Sequence, residues 1–280
     1  MTEKGLRFGV YLPPFGPFGD PAVLVDLAVR AERAGWDGVF LWDHLVRGSM
    51  PVADAWTALG AIAQATERVF LGPSVTPLPR RRPWVVARQA STVSRLSGGR
   101  LILGVGLGVD HSGDFSRFGE RSDPAARPSM LTEGLDVLRA MWSGEPFERG
   151  GVHYPVKLEA SPPEPHPIPI WMASSTRKPA VIRRAAGCEG IFPIADHTMT
   201  PEEIRDVISA LRDAGVPEGR PYDVVVSGQA SSAWETANPD DVDLAALLGA
   251  GATWWMESLR YVHPLEQCLG VVEAGPPRGE

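Results

Sequence analysis

The chain runs through one pattern eight times: a short apolar run, then a longer amphipathic one. Short apolar, β-rich runs bounded by turn residues read as strands; apolar residues recurring every three to four positions read as helices. The strand candidates are RFGVYL (7–12), GVFLW (38–42), RVFLGPSV (68–75), RLILGVGLG (100–108), IPIWMA (168–173), GIFPI (190–194), DVVVSG (223–228) and TWWMES (253–258). Each is followed by a helix candidate. PAVLVDLAVRAERAG has Asp20 as N-cap, Pro21 in the first turn and Gly35 as its stop. RPWVVARQASTVSRLSGG closes on Gly98 and Gly99, and TPEEIRDVISALRDAG opens on a capping box of Thr200 and Glu203. The other helices are read in ADAWTALGAIAQAT, SMLTEGLDVLRAMW, KPAVIRRAAG, NPDDVDLAALLGAG and PLEQCLGVVEAG. The strands are continuous apolar runs rather than alternating ones, as a parallel sheet covered on both faces requires. Eight such units in 280 residues match an α/β fold of the (β/α)8 TIM-barrel class, with an open doubly wound sheet as the competing architecture. Residues 1–280 read as one domain, with the proline-rich stretch 144–169 as an irregular insertion that can hold a small hairpin.

A barrel of this kind carries its active site at the carboxyl ends of its strands. The second strand runs out into Asp43 and His44, which places two titratable groups at the mouth. Ser74, Val75 and Thr76 follow the third strand, then a run of three arginines, Arg80, Arg81 and Arg82. The fourth ends in a glycine-rich turn, Gly106, Leu107 and Gly108, and the fifth in Ser174, Ser175 and Thr176. Glycines allow close approach of a ligand, and hydroxyls at a helix start suit a phosphate. Each feature has a plainer reading. A histidine at a strand end is often structural, GVGLG lacks the spacing of the dinucleotide fingerprint, three arginines are often a solvated run, and three hydroxyls can cap a helix.

Bulk properties narrow the classes. A net charge of −7 argues against a nucleic-acid partner. The two cysteines, Cys188 and Cys268, form neither a disulfide framework nor a zinc motif, which suits a reducing cytoplasm. MTEKGLRFGVYLPP contains no signal-like apolar stretch, and no run approaches the roughly 18 apolar residues of a membrane span. A cytoplasmic protein with a small-molecule substrate and no membrane partner is the expectation. The six histidines are scattered, without an HxH pair, so a metal-dependent hydrolase is the weaker enzyme reading and no metal ligand is assigned.

Several stretches together resemble the bacterial-luciferase-like, flavin-dependent oxidoreductases: AERAGWDGVFLWDHL, the long block from ATERVFLGPSVTPLPRRRP to LSGGRLILGVGLG, FGE at 118–120, MLTEGLDVLRAMWSGEPF, and PIPIWMASS followed by RRAAGCEGIFPI. The last third matches in architecture more than in words. The resemblance implies a luciferase-like barrel holding either FMN or the 8-hydroxy-5-deazaflavin coenzyme F-420. The wording WDHL and SVTPLP favours the deazaflavin. It implies hydride transfer, with His44 handling protons at the reactive ring edge and Asp43 beside it. A non-prolyl cis peptide at Ser74–Val75 would back the ring, with Thr76 next to it. The segments Gly106–Leu107–Gly108 and Ser174–Ser175–Thr176 would contact the cofactor and its phosphate, and Arg80, Arg81 and Arg82 would meet its anionic tail. Sugar-phosphate dehydrogenases of the deazaflavin branch carry a glutamate where this chain has Leu107, which argues against a sugar-phosphate substrate. Trp42, Trp254 and Trp255 are candidate cavity walls. A homodimer is implied by analogy. The alternatives are an FMN-dependent monooxygenase and a flavin-binding protein without catalysis.

Overall fold

The computed structural model describes residues 5–175, 178–234 and 242–277. Its main sheet is a ring of parallel strands. β1 (Arg7–Leu12) pairs with β2 (Gly38–Leu41), and β2 with β3 (Phe70–Pro73). β4 (Thr76–Pro77) pairs with β5 (Leu103–Gly106). An antiparallel hairpin off the main sheet, β6 (Phe147–Arg149) and β7 (Val156–Leu158), lies inside the proline-rich insertion. β8 (Ile170–Ser174), β9 (Gly190–Pro193), β10 (Asp223–Gly228) and β11 (Trp254–Ser258) carry the ring round from β5 back to β1. The ring shuts where Leu71 N–H donates to Arg100 O (3.2 Å) and Ile102 N–H to Leu71 O (2.9 Å). β3 and β4 together make one stave, so the barrel has eight, as the alternation of runs predicts.

RVFLGPSV, expected as one strand, is broken. The Ser74–Val75 peptide is cis, and the chain changes partner there: β3 bonds to β2 and β4 to β5. This is the bond that the resemblance implied.

Eight helices are described around the ring: α1 (Pro21–Arg33), α2 (Ala55–Ala65), α3 (Pro83–Leu96), α4 (Arg127–Ser143), α5 (Pro179–Ala186), α6 (Pro201–Asp213), α7 (Leu244–Ala250) and α8 (Leu265–Ala274). The expected caps form. Asp20 accepts from Ala22 N–H, and the Thr200–Glu203 capping box is complete. α7 starts later than expected, because Asp243 caps it through Ala246 N–H at 2.8 Å; residues 238–241 of the expected helix lie outside the described residues. Glu133 of α4 accepts from Val152, His153 and Tyr154 N–H, at 3.2, 3.0 and 3.1 Å, and so pins the hairpin to the barrel.

The lumen is filled by Phe40, Trp171 and Trp254 in mutual stacked and edge contacts, with centroids 5.1–5.7 Å apart. Their bulk is met by glycines. A Cβ on Gly9 would lie 2.7 Å from Met256 Sδ, and one on Gly190 would lie 2.5 Å from Trp171. This large-against-small filling plugs the barrel beneath its carboxyl rim and leaves space only above. No helix among the described residues is long and apolar enough to cross a membrane.

Candidate active site

Strand geometry decides what the rim presents. Side chains alternate faces along a strand. Phe40 fills the lumen, so Trp42 and His44, two and four residues on, point to the same inner side, and Asp43 turns the other way. Trp42 N–H still bonds Leu12 O at 3.0 Å, which holds this extension of β2 against β1.

The outward turn buries Asp43 under the rim. Its Oδ2 accepts from Thr76 Oγ1 (2.9 Å) and Arg81 Nε (2.8 Å), and its Oδ1 from Arg80 Nη2 and Arg81 Nη2 (both 2.7 Å). Thr76 Oγ1 in turn accepts from Trp56 Nε1 at 3.1 Å. Asp43 is therefore committed to two guanidiniums and a hydroxyl. Among the described residues no hydrogen bond joins it to the imidazole of His44, beside which the resemblance sets it.

Asp114, in the loop after β5, holds the imidazole. Its Oδ2 lies 2.7 Å from His44 Nδ1, and its Oδ1 accepts from Leu45 N–H (2.7 Å) and Val46 N–H (3.3 Å). Arg80 Nη1 stands 3.3 Å from the same Oδ1, so Arg80 ties Asp114 to Asp43. Burial pushes the Asp114 carboxyl up, but the hydrogen bonds from His44 and Leu45, with the charges of His44 and Arg80, outweigh it and leave the group below its ordinary value. An ionised carboxylate only accepts, so His44 carries a proton on Nδ1 and keeps Nε2 for another partner. Phe15 packs edge-on against the imidazole with centroids 5.6 Å apart, which fixes the ring plane.

Above the lumen plug lies a cavity of about 650 Å³. Tyr11, Trp42, His44, Ser74, Val75 and Gly108 line one side, and Ile194 to Thr198, Ser258 and Arg260 the other. Burial raises the Tyr11 phenol, which stays protonated. Trp42 Nε1 and Ser74 Oγ are buried there without a hydrogen-bond partner among the described residues. His197 sits between Asp196 Oδ1 and Glu203 Oε2, each at 3.0 Å, and these bonds raise its pKa. Among the described residues, no group of three or more metal-ligand side chains converges.

The structure gathers part of the expected set. His44, Asp43, Ser74, Val75 and Gly108 border the cavity, and Gly106 stands behind Val75, where a Cβ would lie 3.0 Å from its Cγ2. Thr76 is buried under the rim and Leu107 packs into the outer core. Ser174 and Ser175 border a neighbouring cavity of about 400 Å³ that shares the segment 194–197. Thr176 lies outside the described residues. The three arginines, expected to act together, divide: Arg80 and Arg81 turn inward to Asp43, and Arg82 stays exposed at the start of α3. Of the three tryptophans, only Trp42 faces the cavity. Trp254 belongs to the lumen plug, and Trp255 donates to the buried Glu257 at 2.8 Å. Asp114 was missed because its loop carries no period to read.

Residues 6–262 match the profile of the luciferase-like monooxygenase family. Among curated relatives, an F420-dependent glucose-6-phosphate dehydrogenase of Nakamurella multipartita is 34% identical over 233 residues, 80% of this chain and 66% of the relative. A protein of the same name from Microbacterium testaceum is 36% identical over 187 residues, 64% of this chain and 54% of the relative. The chain thus spans between half and two thirds of the length of these relatives. Among solved structures, an F420-dependent secondary alcohol dehydrogenase with an F420-acetone adduct superposes with a TM-score of 0.77 at 18% identity, over 98% of both chains. The coenzyme F420-dependent tetrahydromethanopterin reductase of Methanopyrus kandleri gives 0.71 at 18% identity, over 96% of this chain and 97% of the other. The profile match covers nearly the whole chain, and the barrel with its cis Ser74–Val75 bond is the architecture that the family resemblance implied: the chain belongs to the luciferase-like monooxygenase family.

Proposed function

We propose that the protein is a deazaflavin (F-420)-dependent oxidoreductase that moves a hydride between the cofactor and a small organic substrate, with His44 passing the accompanying proton. One observation carries this reading. Asp114 fixes the partly buried imidazole at 2.7 Å through Nδ1 and frees Nε2 towards the cavity. A neutral imidazole held through one ring nitrogen presents the other as a proton acceptor, and the protonated ring presents it as a donor.

The residues present suit such a cofactor. A volume of about 650 Å³ falls within the usual range for small-molecule sites, roughly 300–1,000 Å³. Trp42 Nε1 and Ser74 Oγ are buried polar groups that a ligand with polar ring edges would satisfy. Val75, just after the cis bond, offers an apolar wall for a flat ring. Gly108 has φ +71°, and a Cβ there would lie 2.7 Å from Pro77 Cβ, so this turn of the rim needs glycine. Ser174 and Ser175 line the adjoining cavity of about 400 Å³ and offer hydroxyls to a phosphate that extends from the main one. When bound, the deazaflavin supplies the hydride chemistry; the protein supplies orientation, a proton and exclusion of water. The names of the curated relatives support F-420 over FMN. The substrate is not carried over from them, because Leu107 packs into the core where a glutamate was expected in sugar-phosphate enzymes.

Titration of the purified protein with F-420 and with FMN, followed by absorbance, tests the cofactor. Saturable binding of F-420 and weaker binding of FMN is expected. Tighter FMN with oxygen consumption would replace this reading by the monooxygenase, and reduction without turnover of any alcohol or carbonyl compound would leave a binding protein. The homodimer carried by the resemblance has a suitable face. Trp84, Val85 and Leu96 of α3 are exposed around an apolar groove shared with Trp56 of α2. Sedimentation of a Trp84→Glu variant as a monomer, against a dimeric parent, checks it.

A further inference from the structure

The division of the arginine run leaves a second feature that the redox site does not use. Arg80 and Arg81 form a wall, held upright by Asp43, and Arg80 borders a concavity on each side of it. The inner one is the main cavity. The outer one is a cleft of about 250 Å³ between the segment 79–82 that leads into α3, Glu120 and Arg121, Met130 of α4, and residues 152–154 between the hairpin strands β6 and β7. It is smaller than the roughly 300 Å³ at which whole-ligand sites begin, so it suits a chemical group rather than a complete cofactor.

Its polar complement is almost entirely of one kind. Arg82 and Arg121 border the cleft, and neither has a carboxylate partner among the described residues; Arg121 Nη1 reaches only His153 Nδ1 at 3.5 Å. Two further donors there are buried and unsatisfied. Among the described residues, Arg80 Nε has no hydrogen-bond partner, and the hydroxyl of Tyr154, a residue 2% exposed, has none either. Burial pushes the Tyr154 phenol up to about 12, so it remains a donor. Glu120 is the one carboxylate among the residues lining the cleft. Buried donors are rarely left without an acceptor, and several donors around one small concavity ask for a ligand that brings several acceptors.

We propose that this outer cleft is an oxyanion site, distinct from the cavity at His44, that takes a phosphoryl or carboxylate group between Arg82, Arg121 and the Tyr154 hydroxyl. Guanidiniums pair with such groups through two parallel hydrogen bonds, and a phenol adds a third. The group can belong to the tail of a bound cofactor or to a separate small anion. The inference does not rest on the redox reading, because it uses residues outside the main cavity except for the shared wall.

Calorimetric titration of the whole protein with inorganic phosphate at low ionic strength tests it, with chloride as the reference for screening. Phosphate is expected to bind saturably. Arg82→Gln and Arg121→Gln should each weaken binding about tenfold or more, and Tyr154→Phe about fivefold. Both arginines are exposed, so these variants should keep the parent melting temperature. Phosphate bound no better than chloride, or bound equally by parent and variants, would overturn the site. A second titration, with complete F-420 and with its phosphate-free ring-and-ribityl fragment, names the source. If Arg82→Gln weakens only the complete coenzyme, the cofactor's tail occupies the cleft. If both coenzyme forms are unaffected while phosphate is lost, a separate anion does. Failure of F-420 to bind at all would strike the redox reading and leave the phosphate result standing.

Discussion

Two carboxylates near His44 do different work, and the difference is measurable. Asp114 holds the imidazole at 2.7 Å, whereas Asp43 holds Arg80 and Arg81 and faces away from it. Replacing Asp114 by Asn frees the imidazole to take either tautomer. Turnover should then fall by about 10²-fold, the usual scale for a positioned acid–base group, while cofactor affinity stays close to that of the parent; the amide keeps an acceptor for Leu45 N–H, so the melting temperature should fall less than for Asp43→Asn. His44→Ala should lose at least as much and also keep the cofactor. Asp43→Asn should do the reverse. It leaves Arg81 without a carboxylate and the buried Arg80 with Asp114 alone, which costs up to about 3–5 kcal/mol, and it lowers the melting temperature before it touches chemistry. Kinetics and thermal melts of the three variants separate the roles; equal turnover losses for Asp43→Asn and Asp114→Asn at unchanged stability would refute the division. His44 was legible because a continuous apolar strand ended on it. The opposite headings of Asp43 and His44 follow from strand alternation, but Asp114 arrives across 69 residues of chain from Leu45 in a loop without pattern, and only the fold brings it there.

At the scale of elements, what the periodicity shows is where each helix and strand lies, and what it hides is how one is tied to the next. The amphipathic stripe, the Asp20 cap and the Gly35 stop all mark α1. Nothing in that stripe marks Glu32, which reaches from the last turn of α1 to the entry of β3 and accepts from Glu67, Arg68 and Val69 N–H, the shortest at 2.6 Å. Burial raises this carboxyl, but the three backbone donors and the charge of Arg68 hold it below its ordinary value. A depressed folded value means that the tie stabilises the protein above the unfolded pKa and fades as the pH falls through the folded one. Glu32→Gln should therefore cost about 1–3 kcal/mol at pH 7, and the gap to the parent should begin to narrow below about pH 4, the ordinary range of an unfolded carboxyl. Urea denaturation at pH 7 and pH 3.5 measures both; a gap of the same size at each pH would show that ionisation of Glu32 contributes nothing. The break in the third stave was hidden for a similar reason. RVFLGPSV reads as one β-rich run, and only the family resemblance pointed to the cis bond at which it changes partner.

For the whole molecule the deciding feature is closure, because an open sheet would have no lumen to plug and no rim to surround a ligand. Eight strand–helix units announce the number of staves, yet an open sheet has the same count, and the choice between them is made where the third and fourth staves touch. There the backbones approach until no side chain fits. A Cβ on Gly72 would sit 1.8 Å from Ile102 O, and one on Gly104 would sit 2.4 Å from Pro73 O. Both atoms belong to backbone, which cannot rotate aside as a side chain end can. The sequence displays these glycines among others of the same strands and says nothing of which ones meet a neighbour's carbonyl. Gly72→Ala must push the staves apart at the Leu71–Leu101 bridge, at a cost of about 3 kcal/mol or more. Gly270 in the exposed turn of α8 is the matched control. A Cβ there meets nothing within 4 Å, and Gly270→Ala should stabilise by up to about 1 kcal/mol, since alanine is the better helix former. The two substitutions add the same methyl group and should move the urea midpoint in opposite directions. If Gly72→Ala leaves the midpoint where it was, the barrel does not shut at Leu71, and the cavity above the plug loses the wall that carries Ser74 and Val75.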